Sequence, residues 1–176
     1  MEFDLPAFVA RCRRASLTSN LAQALRKELD RAIAQAPILT SAFAGREEPE
    51  ACLFESDSLT IFDVRVDPGI RYPSHNHGMA VLIGVYDGCE VNTIYQLGRG
   101  DTAPKAAGEI EIHAGVSRVL AHDVIHSVAC LGDSPSRALH IYLGNLTRVE
   151  RTIWSPATGE AHPFSEDCYF GFATKA

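Results

Sequence analysis

The hydrophobic period of this chain changes near residue 50, and this change constrains the fold more than any other feature of the sequence. Before it, apolar residues recur at four-residue spacing along one stripe: Leu21, Leu25, Leu29 and Ile33. After it, short runs rich in β-branched residues follow a period of two and are broken by Gly, Pro and Asp about every 8–12 residues. The first pattern indicates an amphipathic helix, and the second indicates a sandwich or barrel of short strands. We therefore predict one domain, helical over residues 1–45 and β-structured over residues 52–176.

The helical segment contains its own start and stop signals. Asp4 can cap the first helix, and Pro6 is tolerated in the first turn, where a backbone N–H is not needed. Pro37 is expected to end the second helix. The apolar stripe is expected to cover one side of the β-structure, so helices and strands share one core. A chain of 176 residues is long enough to bury such a core.

Composition and charge exclude several classes of protein. The formal net charge is −6 and no basic stripe is present, which argues against a nucleic-acid-binding surface. No apolar run approaches the roughly 20 residues of a membrane span, and the acidic start "MEFDLPAF" lacks the layout of a secretory signal. The five cysteines form no C-x-x-C pair, which favours reduced thiols in the cytoplasm: Cys12, Cys52, Cys89, Cys130 and Cys168.

Two histidines one residue apart are the first indication of chemistry. His75 and His77 lie in "YPSHNHGMAVLIGVYDG", at the start of an apolar run. Residues i and i+2 of a strand point to the same face, so both imidazoles could bind one metal ion. The alternative, two core histidines that bind nothing, stays open from the pair alone. Two further histidines, His113 and His162, lie in polar contexts and are expected to face solvent.

The spacing around the pair resembles the two-part signature of the cupin superfamily. The first part, G-x5-H-x-H-x3-E-x6-G, is matched from Gly69 to Gly88 with both histidines in register. The second part, G-x5-P-x-G-x2-H-x3-N, supplies a third histidine, His126, also in register. The resemblance implies a mainly β fold, the cupin double-stranded β-helix or jelly-roll barrel, here preceded by the N-terminal α-helices. It also implies that His75, His77 and His126 bind one metal ion.

Four positions of the signature differ in this chain: Val81 for Glu, Ala121 for Pro, Asp123 for Gly and Cys130 for Asn. The first difference matters chemically, because most cupins add that glutamate to the three histidines. With Val81 the ligands are three neutral imidazoles, so the metal keeps its double positive charge. Such a site leaves up to three open positions in an octahedron, and open positions are what catalysis requires.

One further histidine and two cysteines lie close to these motifs. His122 competes with His126 for the third ligand position, since "AHDVIHSV" contains both. His126 begins a β-patterned run and sits at the family spacing, so it is the preferred ligand. Cys130 can serve as a soft ligand, but a small apolar group in the core is its expected role. The role of Cys89, at the end of "YDGCE", is left open.

Within the cupins, a three-histidine site without the glutamate resembles the cysteine dioxygenase group, and this likeness covers about residues 52–155. In that group a Ser-x-His-x-Tyr run follows the third ligand, and "RALHIYLGN" supplies Ala138, His140 and Tyr142 on one face of a strand. The resemblance implies Fe(II), a small thiol substrate and O₂, with both oxygen atoms ending on sulfur. It also implies that Tyr142 orients substrate and oxygen and that His140 holds Tyr142. Because Ala138 replaces the serine, the run is one hydrogen-bonding member short.

Two differences from the cysteine dioxygenases bear on the substrate. Mammalian-type enzymes carry a cysteine that forms a thioether with the tyrosine, and Leu82 lies near that position, so no crosslink is expected. They also use an arginine upstream of the histidine pair to hold the substrate carboxylate. Here "EACLFESDSL" places Glu55 nearest to that arginine, which disfavours cysteine itself as substrate. Arg65, Arg71 and Arg99 are the substitutes that the sequence offers.

Several alternatives stay open. The thiol can be cysteine-like, 3-mercaptopropionate-like or cysteamine-like, and Zn, Ni or Mn can take the place of Fe(II). A zinc site with an activated water would suit a hydrolase or an isomerase. A non-catalytic cupin would bind a small molecule or a metal as a sensor or store. The sequence is compatible with a monomer or a homodimer.

Overall fold

The computed structural model describes residues 2–176 and begins with three consecutive helices. These are α1 (Leu5–Ala15), α2 (Leu21–Ile33) and α3 (Ala36–Phe43). The predicted cap is present, since the Asp4 carboxylate accepts a 2.9 Å hydrogen bond from the backbone N–H of Ala7. The prediction of a helical N-terminal segment is thus confirmed over the described part of that segment.

The predicted role of Pro37 is wrong. Helix α2 ends at Ile33, and Pro37 lies in the first turn of α3 instead of terminating α2. Proline is favoured in a first turn because its fixed φ suits the helix and no N–H is required there. The residue therefore starts a third helix that the sequence pattern did not indicate.

Short strands make up the rest of the chain. In chain order they are β1 (Glu50–Glu55), β2 (Thr60–Val66), β3 (Ile70–Asn76), β4 (Val81–Asp87), β5 (Cys89–Gln96), β6 (Lys105–His113), β7 (Ser117–Leu120), β8 (Ile125–Cys130), β9 (Ser136–Tyr142), β10 (Thr152–Trp154), β11 (Ala161–Pro163) and β12 (Thr174–Lys175), with helix α4 (Glu166–Gly171) between β11 and β12. The first strand begins at Glu50, slightly before the predicted start at Cys52.

The strands form two antiparallel sheets that face each other. Sheet A has the order β1-β2-β9-β4-β7, and sheet B has the order β11-β10-β3-β8-β5-β6 with β12 also paired to β3. Neighbours within a sheet are mostly distant in sequence, so the chain passes repeatedly from one sheet to the other. This is a double-stranded β-helix, or jelly roll, and the predicted fold class is confirmed.

Strand β4 shows how the helices and the barrel share one core. Leu82 packs with Leu25 and Leu29 of α2 on the outer face of sheet A. Val81 and Ile83 point to the opposite face and pack in the barrel interior. Such a strand, buried on both faces, is apolar without interruption, as "VLIGVY" is.

A close approach of α2 explains the glycine within β4. A Cβ atom added to Gly84 would lie 2.7 Å from Cγ of Leu29, nearer than van der Waals contact allows. The helix stripe therefore covers sheet A, as the sequence predicted. Over residues 2–176, none of the helices combines the length and apolar character needed to cross a bilayer.

Candidate metal centre

Three histidines meet inside the barrel, on sheet B. His75 lies near the end of β3, His77 follows that strand directly, and His126 lies on β8. Strands β3 and β8 are neighbours, and their register places His75 opposite His126. The Nε2 atom of His77 lies 3.1 Å from Nε2 of His75 and 3.4 Å from Nε2 of His126. All three side chains are buried, and together they could hold one metal ion.

The hydrogen bonds behind the rings direct two nitrogen lone pairs toward this centre. Nδ1 of His75 donates to the carbonyl oxygen of Pro73 over 3.0 Å, and Nδ1 of His126 donates to Oδ1 of Asn92 over 2.6 Å. A proton on Nδ1 leaves Nε2 of a neutral imidazole with a free lone pair. Ligating histidines are commonly held in this way through their second nitrogen.

Protonation and spacing both suit a metal ion. Burial lowers the pKa of His75 to about 4 and holds the pKa values of His77 and His126 well below their usual range, so the rings are neutral at pH 7. Metal–nitrogen bonds of about 2.0–2.1 Å, in octahedral or tetrahedral geometry, place two nitrogens about 2.8–3.4 Å apart. The observed separations of 3.1 and 3.4 Å agree with those values. The residues therefore fit a metal ion.

The structure also locates the other predicted candidates around the triad. His122 is exposed and lies outside it, so His126 is the third member of the cluster. Val81 is fully buried among apolar side chains and adds no ligand atom. His113 is exposed as expected, whereas His162 is half-buried against the ring of Phe172.

A chain of buried polar side chains links the third histidine to the predicted tyrosine. From His126 it passes to Asn92, whose Nδ2 donates to Oε1 of Glu90 over 2.9 Å. Oε2 of Glu90 lies 3.1 Å from Nε2 of His140, and Nδ1 of His140 lies 3.3 Å from the hydroxyl of Tyr142. We call Asn92, Glu90 and His140 the polar bridge. It crosses the interior, because β5 belongs to sheet B and β9 belongs to sheet A.

A buried carboxylate supports His140. Ala138 offers no hydrogen bond, but the fully buried Glu90 carboxylate holds His140 from the opposite sheet. A carboxylate oxygen accepts hydrogen bonds, so Nε2 of His140 donates to Glu90 and Nδ1 of the same ring accepts from the Tyr142 hydroxyl. Sequence analysis missed Glu90 and Asn92. The available signal was two polar residues at alternate positions of the buried run "CEVNTI".

Tyr142 lies directly against the triad. Its ring meets the ring of His77 edge-on, with 5.0 Å between centroids, and packs against Phe62 on another side. Burial raises the pKa of the Tyr142 hydroxyl well above its usual value, so the group stays protonated. His140 and Tyr142 are thus brought together as the sequence predicted, with the tyrosine next to a candidate ligand.

The C-terminal segment forms the opposite wall of the site. Tyr169 of α4 stacks on Tyr72 at 4.6 Å and meets His75 edge-on at 5.2 Å. Phe164 also packs on His75, and the guanidinium carbon of Arg151 lies 3.6 Å above the Phe164 ring. A cation over an aromatic face is attracted by the ring electrons, which fixes Arg151 beside the centre.

Arg151 lies close enough to the triad for its positive charge to contribute to the lowered pKa values of His75 and His77. Across residues 2–176, no carboxylate lies within ion-pair distance of its guanidinium, although Glu50 is near enough to influence it. Burial raises the pKa of Glu50, which weakens that carboxyl as a counter-charge. Sequence analysis did not single out Arg151.

The arginines proposed from sequence lie elsewhere. Arg65 pairs with Asp67 at 2.6 Å, Arg71 donates to the hydroxyl of Thr93, and Arg99 is exposed between β5 and β6. Two further positions point away from the triad: Glu55 accepts a hydrogen bond from Thr147 at the surface, and Leu82 faces the helices.

Comparison with known proteins bears on the fold. No protein-family model matches the chain. A Bacillus halodurans protein of known structure superposes with a TM-score of 0.51 at 16% identity, covering 60% of this chain and 77% of that one. A conserved Klebsiella pneumoniae protein with a double-stranded β-helix domain gives a TM-score of 0.43 at 14% identity, covering 69% and 89%. A cupin-2 domain protein from Shewanella frigidimarina gives 0.44 at 15% identity, covering 58% and 89%.

Fold and site together define a general class. The chain forms a double-stranded β-helix, and the interior of its barrel carries a three-histidine group that could bind a metal ion.

Proposed function

We propose that this protein is a non-haem Fe(II) dioxygenase that oxidises a small thiol with O₂ to its sulfinic acid. The observation that carries the proposal is a neutral three-histidine centre with the hydroxyl-bearing Tyr142 packed directly against it. The overall reaction adds both atoms of one O₂ molecule to one sulfur and needs no other reductant.

The charge of the ligand set favours a thiolate. Three neutral imidazoles leave the double positive charge of a bound metal uncompensated, so an anionic ligand is attracted to the open positions. Fe(II), when bound there, would supply the redox chemistry that oxidation of sulfur by O₂ requires, and zinc has no such chemistry.

Tyr142 would position the reactants through its hydroxyl group. The polar bridge holds the oxygen of Tyr142 at 3.3 Å from His140, and the ring is fixed between His77 and Phe62. The hydroxyl proton is donated to Nδ1 of His140 and would turn toward the reactants when they bind, where a hydroxyl already held beside the centre stabilises developing charge. The raised pKa of Tyr142 keeps its proton available at neutral pH.

Arg151 would bind the end of the substrate that is distant from the thiol. A guanidinium that lacks an ion-pair partner beside a metal centre suits a carboxylate, which it can hold by two parallel hydrogen bonds. This favours a thiol that carries a carboxylate, either cysteine-like or 3-mercaptopropionate-like, over a cysteamine-like amine.

Replacing Arg151 by glutamine should raise KM for a carboxylate-bearing thiol much more than it lowers kcat. A charged hydrogen bond contributes about 1.5–3 kcal/mol, which corresponds to a loss of about 10- to 100-fold in kcat/KM. Steady-state oxygen uptake measures both constants, and Arg65→Gln serves as the matched control because Arg65 pairs with Asp67 away from the centre. An unchanged KM would remove Arg151 from the substrate site.

The activity itself is tested by purifying the full chain without oxygen, measuring its metal, and following oxygen uptake with cysteine, 3-mercaptopropionate and cysteamine. We expect iron, uptake of one O₂ per thiol consumed, and a sulfinic acid as product, with a carboxylate-bearing thiol preferred. Zinc in place of iron, or iron without uptake on any thiol, would contradict the proposal. Zinc would favour a zinc-dependent hydrolase or isomerase, and iron without uptake would favour a non-catalytic binding protein.

A further inference from the structure

A second group of metal-ligating side chains lies on strands β5 and β6. The register of this pair places Cys89 opposite His113, and Glu111 is two residues before His113 on the same face. The ligand atoms of Cys89, Glu111 and His113 all lie within 4.8 Å of one another. Nε2 of His113 is already 3.1 Å from a carboxylate oxygen of Glu111.

This cluster is separate from the histidine triad. Along β5 the side chains alternate between the two faces of sheet B. Glu90 and Asn92 point into the barrel, where they form part of the polar bridge. Cys89 therefore points to the outer face of the same sheet, with Glu111 and His113 of the outermost strand β6. The side chains of Glu111 and His113 are more than half exposed, so an ion could reach them from solvent.

From this arrangement we propose that Cys89, Glu111 and His113 form a second site, which binds a zinc-class divalent cation with three protein ligands and one position left for water. Thiolate, imidazole and carboxylate are the three side-chain ligands that zinc takes, and tetrahedral geometry suits three ligands plus water. Magnesium and calcium prefer oxygen ligands alone and would bind this set poorly.

The thiol of Cys89 must lose its proton when a cation binds. Burial and the nearby Glu111 carboxylate both raise the pKa of Cys89, so the thiol keeps its proton when no cation is present. A bound cation removes this repulsion, and binding releases the proton. The rigid part of the site is the paired backbone of β5 and β6, and the exposed side chains of Glu111 and His113 can turn inward to complete it.

Cobalt(II) provides a test that distinguishes the two sites. Reduced, metal-free full-length protein is titrated with cobalt(II) without oxygen, and its absorption spectrum is recorded. We expect a near-ultraviolet charge-transfer band from thiolate to cobalt, which the triad cannot give because it contains no sulfur. The band should be lost in Cys89→Ser, should require excess cobalt in His113→Gln, and should remain in His77→Ala.

Matched variants complete the design. Cys52→Ser changes an exposed cysteine outside the cluster and should keep the band. Absence of the band from the unmodified protein, or its survival in Cys89→Ser, would overturn the second site. If Cys89→Ser does not fold, as circular dichroism would show, the surface variant His113→Gln decides, because an unchanged titration there also overturns it.

Discussion

Replacing His77 by alanine is expected to remove essentially all tightly bound metal from the triad while the barrel still folds. His77 contributes the nitrogen that lies within 3.1–3.4 Å of both other ligand nitrogens, so its loss leaves two ligands where catalytic sites have three. Its ring makes no hydrogen bond through Nδ1 in the described structure, unlike those of His75 and His126. Its removal therefore disturbs the surrounding fold least among the three.

The measurement combines metal content with thermal unfolding. A ligand present at 100 times its Kd stabilises a folded protein by about 2.7 kcal/mol, so added Fe(II) should raise the melting temperature of the unmodified protein. His77→Ala should lose both the iron and this increase, and its melting temperature should approach that of the metal-free parent protein. Circular dichroism of the two proteins checks that the sheets are intact.

His122→Ala is the matched control, because His122 is the exposed histidine that competes with His126 in the sequence. It should keep its iron and its metal-dependent increase in melting temperature. Full iron occupancy in His77→Ala would show that the triad is not the metal site. A loss of iron in His122→Ala would mean that His122, and not His126, is the third ligand.

The part of this site that sequence could predict is the part that depends on local geometry. His75 and His77 share a face because strand residues alternate, and this holds for any strand wherever it lies in the fold. The pairing of His75 with His126 depends instead on β3 lying beside β8, about fifty residues later in the chain. Periodicity does not determine which strands become neighbours, so only the resemblance to cupins supplied the third ligand.

The residues that sequence analysis missed act through contacts between distant segments. Glu90 on β5 meets His140 on β9 only because two sheets close over one interior. In the sequence, a glutamate within a β-patterned run looks like a solvent-facing residue of an alternating strand. In the structure β5 is buried on both faces, so Glu90 lies in the interior and not in solvent. Such burial depends on the assembled barrel and cannot be read from the strand alone.

Arg151 was missed for a related reason. Arg151 follows β9, the last strand with residues matched to the family motifs. Its position beside the triad depends on Phe164, which packs against His75. The arginines chosen from sequence were chosen by position in the chain. Arg65 and Arg71 both lie on barrel strands, yet their hydrogen bonds with Asp67 and Thr93 hold them away from the centre.

Tyr142→Phe is expected to lower kcat by about 100- to 1000-fold, the range for removal of one preorganised hydrogen-bond donor. The substitution removes a single oxygen atom and keeps the ring that packs on His77 and Phe62. Iron content should therefore be unchanged, and KM should change little because the substrate carboxylate is proposed to bind Arg151 and not Tyr142. The comparison requires oxygen uptake per bound iron, with Tyr95→Phe as control, since the Tyr95 hydroxyl contacts Ser127 away from the triad.

A variant of the polar bridge distinguishes a role of the Tyr142 hydroxyl in turnover from a role of Tyr142 in packing alone. Glu90→Gln keeps the size of the side chain but places an amide near Nε2 of His140, where a carboxylate accepted its hydrogen bond. If the Tyr142 hydroxyl acts in turnover, disturbing its support through His140 should reproduce part of the Tyr142→Phe loss with iron still bound. If both variants turn over at the rate of the unmodified protein, Tyr142 and its bridge serve only to fill and stabilise the barrel. The neutral triad would then have to orient thiol and oxygen without them.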